Sequence, residues 1–389
     1  MRITIATGPW LPVPAINGGA IPRMWQGLAE EFAKRGHDVC IFARSDDRQP
    51  NEESINGVRY VRGGGATQSL SISRDLAKDF VYAGSSMWRL PSADILVTND
   101  FWMPLLAGSL VKRAGRIVVN ANRFPKGQFR LYARVSKVAA ASTAVRDAIV
   151  RQYPRLKERI SVVPNPIDTV VMKPALDVPR RAEKKTILYV GRVHPEKGVH
   201  ILVEAFGRLI SRHPNLRLRI VGPVAEEHGG GGDSYERTLR SLAQGLPVSF
   251  AGPVFEPRSL ADIYRGADLF CYPSLAERGE ALPVAPLESM ACGVPPIVSQ
   301  LECFNDYICD GENGWLFNHR TERPVDALTD KLAEVLSNQS QILAAGGQAG
   351  KNARRFSYET VAKQYLTEFA NLLDRGSEEN GRLKKRIAI

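Results

Sequence analysis

No stretch of the 389-residue sequence holds eighteen consecutive apolar residues, which argues against a membrane-spanning helix. The opening segment, Met1 to Val13, is apolar but cut by Pro9 and Pro12, with Pro14 following. It is too short and too interrupted for a secretory signal. Cysteine is sparse and scattered. Cys40, Cys271, Cys292, Cys303 and Cys309 form no CxxC pair and no zinc spacing, so neither a disulfide framework nor a metal finger is expected. Isolated thiols among apolar neighbours fit a reducing cytoplasm, where such cysteines serve as small hydrophobes. With 44% hydrophobic and 24% charged residues, the chain has enough apolar side chains for the two or three cores its length suggests.

Charge is plentiful but uneven. Residues 1–180 carry 26 Lys and Arg against 15 Asp and Glu, whereas 181–389 carry 26 of each. Within 112–159, thirteen basic residues face only Asp147 and Glu158. One segment makes one half basic, and that concentration points to an anionic partner.

The pattern along the chain is that of alternating strands and helices. Arg2–Ala6 reads as a strand, Asn17-Gly18-Gly19 as a turn, and Met24, Leu28 and Phe32 as the apolar face of a helix stopping at Gly36. Further strands are expected at Asp38–Phe42, Ile95–Thr98, Ile117–Val119, Val138–Ala141 and Ile160–Val163. The same grammar restarts after a proline- and charge-rich linker at 174–185. Strands at Thr186–Val190, Leu216–Val221, Val248–Phe250, Leu269–Tyr272 and Pro296–Val298 are interleaved with helices. Short buried strands with crossover helices imply a parallel sheet in each half, with ligands at the carboxyl ends of the strands. The run Gly229–Gly232 is read as a flexible surface loop, because it does not directly follow a strand.

Two constellations carry chemistry. In Gly191-Arg192-Val193-His194-Pro195-Glu196-Lys197-Gly198, a strand ends at Gly191 and a helix starts near Gly198, with two cations between them. Guanidinium, ammonium and free helix N–H groups at a strand's carboxyl end make an anion site. A surface loop with two ordinary cations reads equally well from these residues alone. In the second, Glu280 and Glu288 bracket the apolar segment Ala281-Leu-Pro-Val-Ala-Pro-Leu287 before Ser289-Met-Ala-Cys-Gly293. A helix is expected from Leu287 to Cys292, placing Glu288 in its first turn, where the dipole favours a carboxylate. Either carboxylate could instead accept paired sugar hydroxyls.

Together with Pro273-Ser274, Val163-Pro-Asn-Pro-Ile-Asp168, Glu312-Asn-Gly314 and Phe356-Ser-Tyr-Glu359, these motifs resemble the family 4 retaining glycosyltransferases. The resemblance implies an α/β GT-B fold, two Rossmann-like parallel-sheet domains facing across a cleft. It divides the chain into an acceptor-binding domain at 1–173, the linker at 174–185, and a nucleotide-sugar-binding domain at 186–355. A helix at 356–376 would return to the first domain, ahead of a frayed basic tail at 377–389. The implied reaction is transfer of a hexose, with retention, from a nucleotide-diphosphate sugar to a saccharide or lipid-linked acceptor in cell-surface polysaccharide or glycolipid synthesis. Arg192 and Lys197 would bind the diphosphate, Glu280 the sugar hydroxyls and Glu288 the ribose, making Arg192, Lys197 and Glu280 the catalytic set. Gly18, Gly19, Gly191, Leu282, Pro283 and Val284 would complete the donor site. Asn120, Asn122, Arg123 and Lys126 are the acceptor-side candidates. No metal or other cofactor is implied, and the sequence holds no Asp-X-Asp pair.

Two departures from the family pattern stand out. Ala281-Leu282-Pro283 replaces the usual Gly-Phe-Gly, and Pro283 has no N–H to donate. Asn120-Ala-Asn122 stands where many members carry a histidine, and asparagine cannot act as a base. His194, inside the cation motif, is read as a loop residue without catalytic duty.

Arg123, Lys126, Arg130, Arg134 and Lys137 fall at helical spacing beside Phe129, Tyr132 and Val135. The pattern predicts an interfacial amphipathic segment over 123–137, its helix starting near Pro125 with Arg123 before it, which would dock a cytoplasmic enzyme on the anionic inner face of the membrane; a solvated basic face, or a site for a soluble anionic acceptor, is the alternative. Competing readings are a GT-B epimerase or sugar-phosphate synthase, a donor-binding protein without turnover, and a nucleic-acid-binding protein prompted by the basic charge. The last lacks any reader motif, so no nucleic-acid partner is expected.

Overall fold

A computed structural model describes residues 1–16, 18–69, 71–110, 112–175 and 184–387. The first half runs β1 (Arg2–Ala6), α1 (Ala20–Lys34), β2 (Asp38–Ala43), β3 (Glu52–Ile55), β4 (Val58–Arg62), α2 (Ile72–Ser86), β5 (Ile95–Thr98), α3 (Met103–Leu110), β6 (Arg116–Ala121), β7 (Lys137–Ala140), α4 (Thr143–Gln152) and β8 (Ile160–Val162). Its eight strands lie in the order β3-β4-β2-β1-β5-β6-β7-β8. All neighbours are parallel except β3–β4, an antiparallel hairpin closed by Asn56 and Gly57, both at positive φ. Two-residue Asn-Gly turns match the right-handed strand twist.

The second half runs β9 (Lys185–Val190), α5 (Val199–Leu209), β10 (Leu216–Val221), α6 (Gly232–Leu242), β11 (Val248–Phe250), α7 (Pro257–Arg265), β12 (Leu269–Tyr272), α8 (Val284–Ala291), β13 (Pro296–Ser299), β14 (Trp315–Phe317), α9 (Pro324–Leu336) and α10 (Gln339–Ala353). Its six strands form one parallel sheet in the order β11-β10-β9-β12-β13-β14. In both sheets the strand order reverses next to the first strand, between β1 and β5 and between β9 and β12. Such switch points open a crevice at the carboxyl ends of the strands.

The last helix, α11 (Tyr358–Ile387), joins the first unit, so the units comprise Met1–Pro166 with Tyr358–Ile389, and Ile167–Ser357. One face of α1 explains the assignment. Trp25 lies 5.4 Å from the Tyr365 ring, and Phe32 lies 6.0 Å from that of Phe369. All four are buried, and each such side chain contributes roughly 1.5–3 kcal/mol of burial.

Several expectations are corrected. Residues 167–173 belong to the second unit: Arg265 on α7 donates to the Val171 and Lys173 carbonyls, and Ile167 bridges to Ser357. The backbone stays helical to Ile387, where a frayed tail was expected from Ser377. The linker expected at 174–185 falls, for 176–183, outside the described residues. No long helix forms over 123–137. Gly127, in a left-handed conformation, interrupts it, leaving one 3-10 turn at Gln128–Arg130, and Lys137 opens β7. Phe129, Tyr132 and Val135 are buried in the unit's interior, so they offer nothing to a lipid surface. Gly229–Gly232 is not a flexible loop either. The amides of Gly230, Gly231 and Gly232 donate to Ala225, Val193 and Val224 carbonyls at 2.8–3.0 Å, tying the run to the loops after β9 and β10.

Candidate active site

The second sheet's switch point gathers the conspicuous charges of the chain. The β9 strand ends at Val190, and the Tyr189 hydroxyl donates to the Arg192 carbonyl at 2.7 Å, fixing the loop beyond it. His194 caps the following turn, its Nδ1 accepting from the Glu196 amide. Gly198 then starts α5 with φ +66, and a Cβ there would lie 2.0 Å from the Pro273 carbonyl oxygen. Only glycine allows this approach. It brings the β9 loop against the β12 loop, where the Leu275 amide donates to the Glu196 carbonyl.

The contact delivers Lys197 to Glu280. Both side chains are almost fully buried, and Lys197 Nζ lies 2.5 Å from Glu280 Oε1. Ser274 Oγ and the Tyr272 hydroxyl donate to the same oxygen at 2.8 and 3.0 Å. Among the described residues no donor reaches Oε2. Burial pushes the Tyr272 and Tyr189 phenols well above their ordinary range, and the Glu280 charge adds to it. Tyr272 therefore remains a hydroxyl donor throughout the physiological range. Arg192 is half-exposed, donating to Glu196 Oε1 and the Gly229 carbonyl at 2.7 Å each. Burial pushes the Glu196 carboxyl up, but Lys197 and Arg192 outweigh it and hold its pKa below the ordinary value.

A buried ion pair costs several kcal/mol in desolvation that mutual attraction only partly offsets. Stability alone is a poor reason to keep one. Two cations and a carboxylate with an open oxygen, at the carboxyl end of a parallel sheet, can grip a polyhydroxyl anion: phosphates at the cations, hydroxyls at the acid.

Residues 177–356 match the family model for glycosyl transferases group 1, and residues 21–171 that for glycosyltransferase family 4. The D-inositol 3-phosphate glycosyltransferase of Corynebacterium urealyticum is 30% identical over 95% of each chain. The protein belongs to the family 4 glycosyltransferases. Among solved structures, sucrose-phosphate synthase from Thermosynechococcus elongatus superposes with a TM-score of 0.77 at 19% identity, covering 96% of this chain and 100% of that one. Anabaena HepE in complex with UDP and glucose gives 0.71 at 17% identity, over 95% and 100%. These likenesses establish the GT-B fold.

The glycosyltransferase's remaining candidates are distributed around this centre and on the first unit. Helix α8 begins at Val284, with Pro283 as its N-cap residue. Glu288 is consequently its fifth residue rather than part of its first turn, and the dipole argument for it fails. It accepts instead from the Tyr264 hydroxyl at 2.9 Å. Leu282 is buried and the Pro283 carbonyl accepts from Tyr307, so this loop is held from within its own unit. Gly191 supplies an amide to the Val221 carbonyl. In the first unit, Gly18 and Gly19 precede α1 at positive φ. Asn120 is buried and donates to the Tyr365 hydroxyl on α11 at 2.8 Å, while Asn122 Nδ2 contacts Met24 Sδ at 3.5 Å. Arg123 and Lys126 are exposed.

Tyr272 and Ser274 close the Glu280 site; from sequence Tyr272 is legible only as a strand end and Ser274 only as part of the Pro273-Ser274 motif. The clamp on the 275–283 loop was not foreseen; in it Glu277 binds Arg320 at 2.7 and 2.9 Å and His319 at 2.9 Å. The first sheet's switch point also holds an unforeseen pair. The Asp100 carboxylate, just past β5, is sequestered, and neither oxygen has a hydrogen-bond partner among the described residues. Asp79, beside it, accepts from the Phe101 and Trp102 amides through one oxygen. Burial pushes both carboxyls up, Asp100 well above the ordinary range, and their mutual repulsion adds to the rise at Asp100.

Proposed function

We propose that this glycosyltransferase uses a nucleotide-diphosphate sugar and transfers the sugar with retention to a saccharide or lipid-linked acceptor. The observation that carries the reading is the buried Lys197–Glu280 pair beside Arg192 at the second sheet's switch point. Arrival of a donor would exchange the Lys197–Glu280 contact for diphosphate on Lys197 and sugar hydroxyls on Glu280. The anomeric carbon's bond to the leaving diphosphate then breaks, and its bond to the acceptor oxygen forms on the same face. The acceptor's proton passes to a leaving-phosphate oxygen, so no protein base is required. Arg192 and Lys197 stabilise the charge developing on that phosphate, a role that elsewhere falls to a divalent metal.

The names of similar proteins support this reading: one binds UDP and glucose, another is a glycosyltransferase of inositol 3-phosphate. Donor identity is not carried over, because the loop with Ala281, Leu282 and Pro283 departs from the family's pattern. The test is turnover of UDP-, GDP- and ADP-sugars with chelator present, with the product's anomeric configuration read by NMR. Inverted product, or loss of activity with the chelator, would overturn the respective part. Rearrangement of a nucleotide sugar supplied alone would favour an epimerase.

A further inference from the structure

Between β12 and α8 the chain makes one tight turn that carries two carboxylates. The Gly279 and Glu280 amides both donate to the Ala276 carbonyl, at 3.0 and 3.2 Å, and the Glu277 amide donates to that of Leu275 at 2.9 Å. Glu277 and Glu280 thus stand three residues apart on a closed stretch of backbone. Glu280 turns inward to Lys197, whereas the Glu277 side chain is half-exposed. A turn tied by its own hydrogen bonds moves as a unit, so whatever holds Glu277 also sets where Glu280 points.

Glu277 is held firmly. Arg320 forks onto it, Nε to Oε1 at 2.7 Å and Nη2 to Oε2 at 2.9 Å, and His319 Nε2 lies 2.9 Å from Oε1. An ionised carboxylate only accepts, so His319 Nε2 carries the proton of that contact. Burial pushes the Glu277 carboxyl up, but Arg320 and His319 outweigh it and hold its pKa below the ordinary value. Both donors come from the turn after β14. There the Arg320 amide donates to Asn318 Oδ1 at 3.0 Å, and the His319 ring is almost fully buried, 6.5 Å from that of Phe317. Strand β13 lies between β12 and β14, so the contact reaches across a strand to anchor the turn on the sheet's edge.

An ion pair this exposed contributes little to stability. What a forked guanidinium–carboxylate contact does fix is orientation. We propose that Glu277, gripped by Arg320 and His319, is a positioning residue that holds Glu280 in place for the donor sugar. The inference rests on the donor reading above, in which an arriving diphosphate draws Lys197 away from Glu280. Once that cation leaves, Ser274 and Tyr272 hold Glu280 through Oε1 alone. The outer clamp is not part of that exchange, and it keeps the turn from rotating Glu280 out of reach of the sugar hydroxyls.

The experiment compares donors that share one nucleotide and differ in the sugar, on the wild type, Glu277→Ala, Arg320→Ala, the double variant and Glu280→Gln. Glu277→Ala should lower kcat for the preferred sugar roughly five- to tenfold and narrow the preference between sugars. Its melting temperature should stay within about 3 °C of wild type. Arg320→Ala should do the same, and the double variant should be no worse than either, because partners in one contact are not additive. Equal loss for every sugar, additive losses, or a native preference in Glu277→Ala would overturn the positioning role. The two readings fail separately. If Glu280→Gln leaves the preference unchanged, the donor reading of Glu280 falls and takes the clamp with it. If Glu280→Gln alters the preference and Glu277→Ala does not, the clamp alone falls.

Discussion

The two switch points of this molecule bury their carboxylates in opposite ways. After β12, one oxygen of Glu280 receives three donors, one of them a cation. After β5, both oxygens of Asp100 receive none, and a second carboxyl stands beside them. The first arrangement keeps a negative charge inside the protein by supplying its counter-charge. The second makes ionisation costly, so the pair holds protons to a higher pH. A buried acid is therefore informative only together with its donors. Glu280 is held by a cation and two hydroxyls that a ligand could replace, whereas Asp100 is built to be neutral or to await a donor from outside.

The sharpest test of that contrast is Lys197→Ala. It leaves Glu280 buried without its cation and removes a stabiliser of the leaving phosphate. We expect turnover to fall ~10²-fold or more; near-native kcat would show that the pair is merely structural. Glu280→Gln keeps the shape and removes the charge. It should lower kcat by roughly tenfold and relax discrimination among donor sugars, an outcome checked by comparing kcat/KM for several sugars on one nucleotide. Uniform loss for every sugar would remove Glu280 from sugar recognition. Glu288→Ala should act more mildly, raising KM for all donors that share the ribose while kcat holds. A fall in melting temperature with unchanged KM would instead assign Glu288 to the Tyr264 bond alone.

On the Asp100 side the expected effect is on stability. Its folded pKa lies above the ordinary value of 3.8. Whatever stability the neutral form supports is complete below that pH and is lost as pH rises towards the raised folded value. Asp100→Asn should melt like wild type near pH 4 and pull ahead as pH increases, by roughly 2–4 °C or more at neutrality. A gap that shrinks with rising pH would mean that the carboxylate has a counter-charge after all.

How much was legible in the sequence follows the same division. In the second sheet glycine ends β9 and charged residues follow at once, so Arg192 and Lys197 are placed by a pattern only a few residues long, whereas Glu280 reaches Lys197 from a loop 83 residues further on. What escaped was tertiary. No local signal says that Tyr272 and Ser274 share an oxygen with Lys197, or that Asp100 meets Asp79 across the fold. Spacing alone also misleads where the apolar residues of a repeat are needed by the core. The basic residues of 123–137 do repeat at helical intervals, yet Gly127 adopts a left-handed conformation that limits the segment to one 3-10 turn, and Phe129 and Tyr132 are core. Conversely, Asn56-Gly57 carried a hairpin signal that was passed over.

The return of α11 to the first unit has a consequence for biosynthesis. A ribosome emits the second unit's entire sequence before Tyr365 and Phe369 exist, although Trp25 and Phe32, against which they pack, are made before that unit begins. Domains generally fold as units in order of emergence, but here the first-born unit stays open along α1 until its last helix arrives. The second unit is thus the first able to finish folding. Throughout that interval a nascent-chain chaperone would find its apolar target on α1.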